Sequence, residues 1–250
     1  MRYEAKFCPV CGSTEIDPIS SALHGEDLFV EYKCLACDSF FEAPKPKTVI
    51  NTSKILAAVD IFKANSGFVY EIICVGPHHD VFGTGLLLNS GDILSNYHLL
   101  GSLPESERNE ATIEAKQSNL KETVLLDVID FDEKRDLMLL RPQKELGKGI
   151  KISNRMPDTG EKCFAIGNSK GQGISIFEGI VSANKRKVNG LDYIMFSAPV
   201  TNGNSGGPLF DEFGLPIGIV TFGREDAVGM NYAIGSQTIN AFLNKASREG

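Results

Sequence analysis

Residues 201–210 read TNGNSGGPLF, three glycines crowded around Ser205 just ahead of a proline and an apolar pair. Glycine adds no packing and loses the most backbone freedom on folding. A cluster of glycines therefore marks a place where the main chain takes unusual dihedrals or approaches something closely. A plain tight turn has that need. So does a turn that presents a serine hydroxyl with main-chain N–H groups converging beside it, ready to stabilise negative charge on a carbonyl oxygen under attack.

The flanking segments decide what that turn sits in. From residue 68 onward, short runs rich in Val, Ile, Leu, Phe and Tyr are punctuated by Gly, Asn and Asp. They include FVYEIICV at 68–75, VFGTGLLL at 81–88, DLMLL at 136–140, EKCFAIG at 161–167, ISIFEGIVSA at 174–183 and LPIGIVTFG at 215–223. Many short strands with frequent turns predict an all-β domain, either a sandwich or a pair of barrels. Helical patterns flank it. SKILAAVDIFKANSG at 53–67 sets Ile55, Leu56, Val59 and Phe62 at helical spacing behind a Ser53 cap. At the other end, Ser236 is placed to cap a helix whose Ile239, Phe242 and Leu243 share one face.

Composition narrows the function. The 250 residues are 42% apolar, enough for a sizeable core, and their net charge of −7 argues against a protein built mainly to grip phosphate backbones. No apolar run is long enough to span a membrane. The start, MRYEAKFCPVCG, lacks the apolar stretch and small-residue cleavage site of a secretory leader, so a cytoplasmic protein without membrane contact is expected.

Four of the six cysteines form two C-x-x-C pairs, Cys8 and Cys11 in CPVCG and Cys34 and Cys37 in CLACD. Two intervening residues let both thiolates face one ion, and the residue after the second cysteine often takes a left-handed backbone, which Gly12 and Asp38 tolerate. Without an export signal to favour disulfides, residues 1–47 are predicted to form a zinc ribbon with one structural Zn2+ on these four thiolates. Such a site has no open position, so no cofactor is expected in the chemistry. Its acidic residues outnumber its basic ones, which favours docking of a partner protein over nucleic acid. The Pro–Lys alternation at 43–47 marks a boundary, followed by a linker and short helix over 48–65 and the β domain over 66–250. Cys74 and Cys163 lie inside apolar runs and are expected in the core. His78-His79-Asp80 resembles a metal-binding fragment but reads as a turn between strands, and Lys185-Arg186-Lys187 reads as a solvated hairpin tip.

Within the β region three polar residues stand at strand ends in a fixed order: His98 after DILSNY, Asp136 before LMLL, and Ser205. A serine hydroxyl is a poor nucleophile until a neutral imidazole accepts its proton, and the imidazole needs a carboxylate behind it to fix its tautomer. Each of the three is common alone. Together they match one chemistry.

The segments GTGLLLNSGDILSNYHLL, RDLMLL, GNSKGQGISIFEGIVSA and TNGNSGGPLFDEFGLPIGIVTFG resemble trypsin-like serine peptidases of the chymotrypsin fold, most nearly the bacterial high-temperature-requirement (HtrA, Deg) type. The resemblance covers residues 66–245. It implies two six-stranded antiparallel β-barrels with a C-terminal helix. It also implies a polypeptide substrate, Ser205 as nucleophile, His98 as general base and acid, Asp136 as orienting carboxylate, and main-chain N–H groups of Gly203 and Ser205 as the oxyanion hole. By the same match Pro199 and Val200 form the floor and wall of the primary specificity pocket, and Thr221, Phe222 and Gly223 pair with substrate main chain. That pocket is apolar, so a small or medium aliphatic residue before the scissile bond is expected. Asn204 stands where many secreted relatives carry an aspartate that pairs with a newly cut N-terminus, so no activating cleavage is expected. Residues 167–173, GNSKGQG, match an activation loop. A homo-oligomer is consistent with the family by analogy. The alternatives are a catalytically silent relative that holds peptides in the same cleft, and a zinc-ribbon regulator associated with nucleic acid.

Overall fold

A computed structural model describes residues 16–24, 27–44, 55–117, 123–223 and 229–249. The chain divides into two compact units, Met1–Ser53 and Lys54–Gly250. In the first, β1 (Ile16–His24), β2 (Asp27–Cys34) and β3 (Phe40–Pro44) form an antiparallel sheet in sequence order. Ser53 lies outside the described residues. The first helix of the second unit, α1 (Ala58–Asn65), opens without a side-chain cap.

Strands of the second unit such as β9 (Leu137–Pro142) and β10 (Lys162–Asn168) read as continuous apolar runs because both of their faces are buried. Its N-terminal barrel closes in the order β4 (Val69–Val75), β5 (Asp80–Leu87), β6 (Ile93–Ser95), β9 (Leu137–Pro142), β8 (Val124–Asp132) and β7 (Thr112–Lys116). Two short helices, α2 (His98–Gly101) and α3 (Glu105–Arg108), bridge β6 to β7. The C-terminal barrel closes as β10 (Lys162–Asn168), β11 (Ile174–Val188), β12 (Leu191–Phe196), β15 (Asn231–Gly235), β14 (Pro216–Gly223) and β13 (Pro208–Asp211), followed by α4 (Ser236–Glu249). Two six-stranded antiparallel barrels with a terminal helix are thus observed, as the sequence resemblance implies.

Side chains alternate sides along a strand, and here the two sides feed different cores. On β9, Met138 and Leu140 fill the N-terminal barrel, while Leu137 and Leu139 join a second cluster shared with the other barrel. On β10, Cys163 and Ala165 fill the C-terminal barrel, while Phe164 and Ile166 enter that shared cluster. Ile61 of α1 and Ile239 and Phe242 of α4 complete the shared core. Cys74 and Cys163 are fully buried, and burial pushes each thiol up to about 12. They pack as small apolar residues. The segment between the barrels is pinned by Arg155, which pairs with Glu161 and donates to Asp211 at 3.2 Å.

Three local expectations shift. The α1 face is centred on the fully buried Ile61, with Leu56 and Phe62 beside it, while Ile55 and Val59 are exposed. Helical periodicity alone left the phase open by one position. Lys185–Lys187 lie within β11 rather than at a tip, because the turn belongs to Asn189 and Gly190, which take the positive φ values of 49° and 82°. Ser236 begins α4 but spends its hydroxyl on the Arg155 carbonyl at 3.1 Å.

Since Ile61 ties α1 to the core shared by both barrels, Ile61→Ala is expected to destabilise the fold by about 2–5 kcal/mol, read as a lower midpoint in urea. A midpoint unchanged by that substitution would detach α1 from the core.

Candidate active site

His98 opens α2 directly after β6, and Asp136 precedes β9 in the same barrel. Their side chains meet, with His98 Nδ1 2.8 Å from Asp136 Oδ2, and the His98 main-chain N–H donates to Asp136 Oδ1 at 2.8 Å. An ionised carboxylate only accepts, so this contact assigns the ring proton to Nδ1 and leaves the Nε2 lone pair available. Thr221 Oγ1, from the other barrel, donates to Asp136 Oδ2 at 2.5 Å. Asp136 itself takes a left-handed backbone, φ 57°. That conformation is uncommon outside glycine, though Asp is among the residues that visit it. It is held by the Asn96 amide, which donates to the Asp136 carbonyl at 2.8 Å, and by the Asp136 N–H reaching Glu133 O at 3.3 Å.

Ser205 comes from the turn between β12 and β13, and each carbonyl of that turn from 202 to 205 is committed. Lys170 N–H donates to Asn202 O at 2.8 Å, Thr84 Oγ1 to Gly203 O at 2.6 Å, Gly207 N–H to Asn204 O at 2.9 Å and Thr84 N–H to Ser205 O at 2.8 Å. In a planar trans peptide the C=O and the next N–H point opposite ways. Fixing the carbonyls of Asn202 and Asn204 therefore turns the N–H groups of Gly203 and Ser205 to the other side. Neither N–H has an acceptor among the described residues. Here the opening glycines find their reason. Gly203 has φ +95° and Gly206 φ +85°, and a Cβ on Gly206 would stand 2.0 Å from the Thr84 carbonyl oxygen.

Thr84, fully buried in β5, is a residue that sequence reading missed. Its hydroxyl donates to Gly203 O and accepts from Asn168 N–H at 3.0 Å, so one side chain of the N-terminal barrel holds two segments of the other. The signal available was a threonine framed by glycines in GTG. Thr84→Val keeps the shape and deletes both bonds. It is expected to lower kcat on a peptide substrate by about 10–100-fold, less than the roughly 10²–10³ lost with an oxyanion donor itself. KM should change little, and Thr84→Ser should restore most of kcat.

His98 and Ser205 line one cleft of about 740 Å³, together with Asp80, Val81, Phe82, Leu99 and Gly203 among others. In this structure the Ser205 hydroxyl donates to Thr221 O at 3.2 Å. Of the residues predicted to bind substrate, Pro199 is exposed and Val200 packs on the C-terminal barrel core. Phe222 stacks on Tyr232 with centroids 4.8 Å apart. β13 pairs with β14 only as far as Ile219; beyond it Phe222 and Gly223 pair with Tyr232 and Asn231 of β15, while Thr221 falls in the register shift between Val220 and Phe222. A second missed residue is Asn231, whose amide donates to Ala198 O at 2.8 Å and ties β15 to the segment leading into Pro199. The Asn204 amide donates to Ser169 Oγ at 2.8 Å and Thr201 O at 3.1 Å, joining the serine turn to the 167–173 loop.

The predicted metal ligands divide. Cys8 and Cys11 lie outside the described residues. Cys34 is buried and Cys37 exposed, on a turn closed by Asp38 N–H to Cys34 O and Cys34 N–H to Ser39 O, both 2.9 Å. Asp38 takes φ 59°, the left-handed backbone read from the spacing. Among the described residues no cluster of three or more His, Cys, Asp or Glu could hold a metal. His79 instead binds Glu107 at 2.7 Å. Burial would raise the Glu107 carboxyl, but the His79 side chain and the His78 N–H outweigh it and hold it below its ordinary value. No helix among the described residues is long and apolar enough to cross a membrane.

Known proteins share this arrangement of sequence and fold. Protease Do-like 1, chloroplastic, from Arabidopsis thaliana is 28% identical over 254 residues, covering 89% of this chain and 54% of that protein. Serine endoprotease DegS from Haemophilus influenzae is 30% identical over 180 residues, covering 67% and 51%. The chain thus spans about half the length of these curated relatives. Among solved structures, a serine endoprotease from Yersinia pestis superposes with a TM-score of 0.66 at 23% identity, over 78% of this chain and 68% of that one. The sequence pattern of the trypsin-like peptidase domain matches residues 83–219, more than half of the chain. With HtrA and Deg proteins among its relatives, the chain belongs to the trypsin-like peptidase family.

Proposed function

We propose that the chain is a serine endopeptidase of the HtrA type, acting through Ser205, His98 and Asp136. The observation that carries this reading is one cleft holding Ser205 and a His98 ring bonded to Asp136, beside the N–H groups of Gly203 and Ser205, which have no acceptor among the described residues. In the reaction the Ser205 hydroxyl leaves Thr221 O and donates instead to Nε2 of His98, which lines the same cleft. Oγ then attacks the scissile carbonyl carbon while the proton passes to the imidazole. The carbonyl oxygen gains the negative charge, and the Gly203 and Ser205 N–H groups meet it. Collapse breaks the C–N bond, the amine leaves with the proton from His98, and water repeats the sequence on the acyl-enzyme. The acyl half of the substrate adds as a strand to the free edge at Thr221, Phe222 and Gly223. Its last side chain rests against Pro199 and Val200, which favours a small or medium aliphatic residue.

The test is digestion of a reduced, unfolded protein by the full chain, with product ends read by mass spectrometry. Internal cuts after Ala, Val or Ile without prior trimming of the enzyme are expected. Cuts chiefly after Arg or Lys would refute the pocket assignment, activity only after N-terminal cleavage would refute the role given to Asn204, and no cuts would refute the peptidase reading.

We further infer that Cys8, Cys11, Cys34 and Cys37 bind one structural zinc in a ribbon that docks a partner protein. The closed turn at Cys34–Cys37 with a left-handed Asp38 fits a pair of thiolate ligands. Elemental analysis is expected to give about one zinc per chain, lost in Cys34→Ser. Metal-free protein with a folded ribbon would contradict it.

A further inference from the structure

The cleft beside Ser205 extends away from the strand edge assigned to the acyl half of the substrate, because Thr221, Phe222 and Gly223 take no part in lining it. Besides His98, Gly203 and Ser205 it is lined by the start of β5, Asp80, Val81 and Phe82, by Leu99 and Ser102 after β6, and by Lys170, Gly171 and Asn202 of the other barrel. Exposure along β5 changes abruptly. Every residue from Gly83 to Leu87 is buried, whereas Phe82 is 51% exposed. A single exposed apolar residue is ordinary on a protein surface. Phe82 differs because it shares its cleft with Val81, the buried Leu99, and the catalytic candidates His98 and Ser205. A volume of about 740 Å³ lies within the range of sites that enclose a small ligand, and so has room for more than one amino-acid residue.

We propose that this cleft is the subsite for the leaving half of the substrate, and that it selects a polypeptide whose first residue after the scissile bond carries a large apolar side chain. The proposal rests on the peptidase reading above. The amine that leaves must receive its proton from His98, so the residue bearing that nitrogen lies against His98, and the neighbouring walls are Leu99 and Phe82. A leucine or phenylalanine there covers the Phe82 ring and removes apolar surface of both partners from water. Glycine covers nothing, and an aspartate would lose hydration against the apolar surface of Phe82 and Leu99. Asp80 and Lys170, both exposed, flank the mouth and remain solvated.

The experiment uses the full chain and quenched-fluorescence peptides with one fixed acyl half, varying only the first leaving residue among Leu, Phe, Gly and Asp. An anilide carrying the same acyl half and no leaving residue is run alongside. For the wild type, kcat/KM is expected to be about 10–100-fold higher for Leu or Phe than for Gly. In Phe82→Ala that ratio should fall to about threefold or less. A second measurement does not depend on the variant's folding. The wild-type acyl-enzyme, formed from the anilide, should transfer to added leucinamide in preference to glycinamide by a similar factor, forming a peptide bond in place of hydrolysis. Peptides and anilide cleaved with a Leu-to-Gly ratio near one would overturn the subsite alone. The subsite is also overturned if Phe82→Ala keeps the wild-type ratio. Absence of hydrolysis with every substrate, anilide included, would overturn the peptidase reading and the subsite with it.

Discussion

Ser205→Ala is expected to lower turnover of any peptide substrate by about 10⁶-fold while leaving the fold intact. Among the described residues the hydroxyl makes one hydrogen bond, to Thr221 O at 3.2 Å. The turn around it is shaped by main-chain bonds that alanine preserves, those at Asn202, Gly203, Asn204 and Ser205. What disappears is the atom proposed to form the acyl-enzyme. Stopped and steady-state assays on a quenched peptide should therefore lose both burst and turnover, with the thermal midpoint unmoved. Residual activity within about tenfold of wild type would place the nucleophile elsewhere.

Asp136→Asn is expected to lower kcat by about 10⁴-fold with little loss of stability, by analogy with the same change in other serine peptidases. Asp136 receives three donors on two oxygens: His98 N–H, His98 Nδ1–H and Thr221 Oγ1–H. A carboxylate accepts all three. An amide substitutes a donor for one acceptor, so the –NH₂ facing the ring forces the imidazole proton onto Nε2, where it can no longer take the proton of Ser205. Backbone strain does not confuse the result, since Asn, like Asp, tolerates the left-handed φ of 57° at this position. Asp136→Ala would mix the two effects. The check is kcat beside a thermal melt, and a kcat unchanged in a folded Asp136→Asn protein would remove the carboxylate from the mechanism.

Sequence carried some parts of this molecule much better than others, for physical reasons. The barrels were legible because strands such as LMLL at 137–140 and CFAI at 163–166 bury both faces, so their apolar runs stand out from the turns. β7 was not. TIEAK does alternate, but its inward set is only Ile113 and the small Ala115, too short an apolar signal to separate a strand from the polar segments around it. His98, Asp136 and Ser205 were legible because each stands at a strand end in a distinctive setting. Thr84 and Asn96 were hidden because their work is done on main-chain atoms distant in sequence, the carbonyls of Gly203 and Asp136. Phe82 was hidden for the opposite reason. It sits in an apolar run that reads as core, and its exposure follows only from where β5 begins relative to the cleft.

The most direct test of an activated Ser205 is intact-protein mass spectrometry after incubation with a fluorophosphonate. The expected result is one adduct per chain, mapped to Ser205, absent in Ser205→Ala and strongly slowed in His98→Ala. A folded wild-type protein that stays unmodified, or an adduct mapped to another residue, would contradict the account.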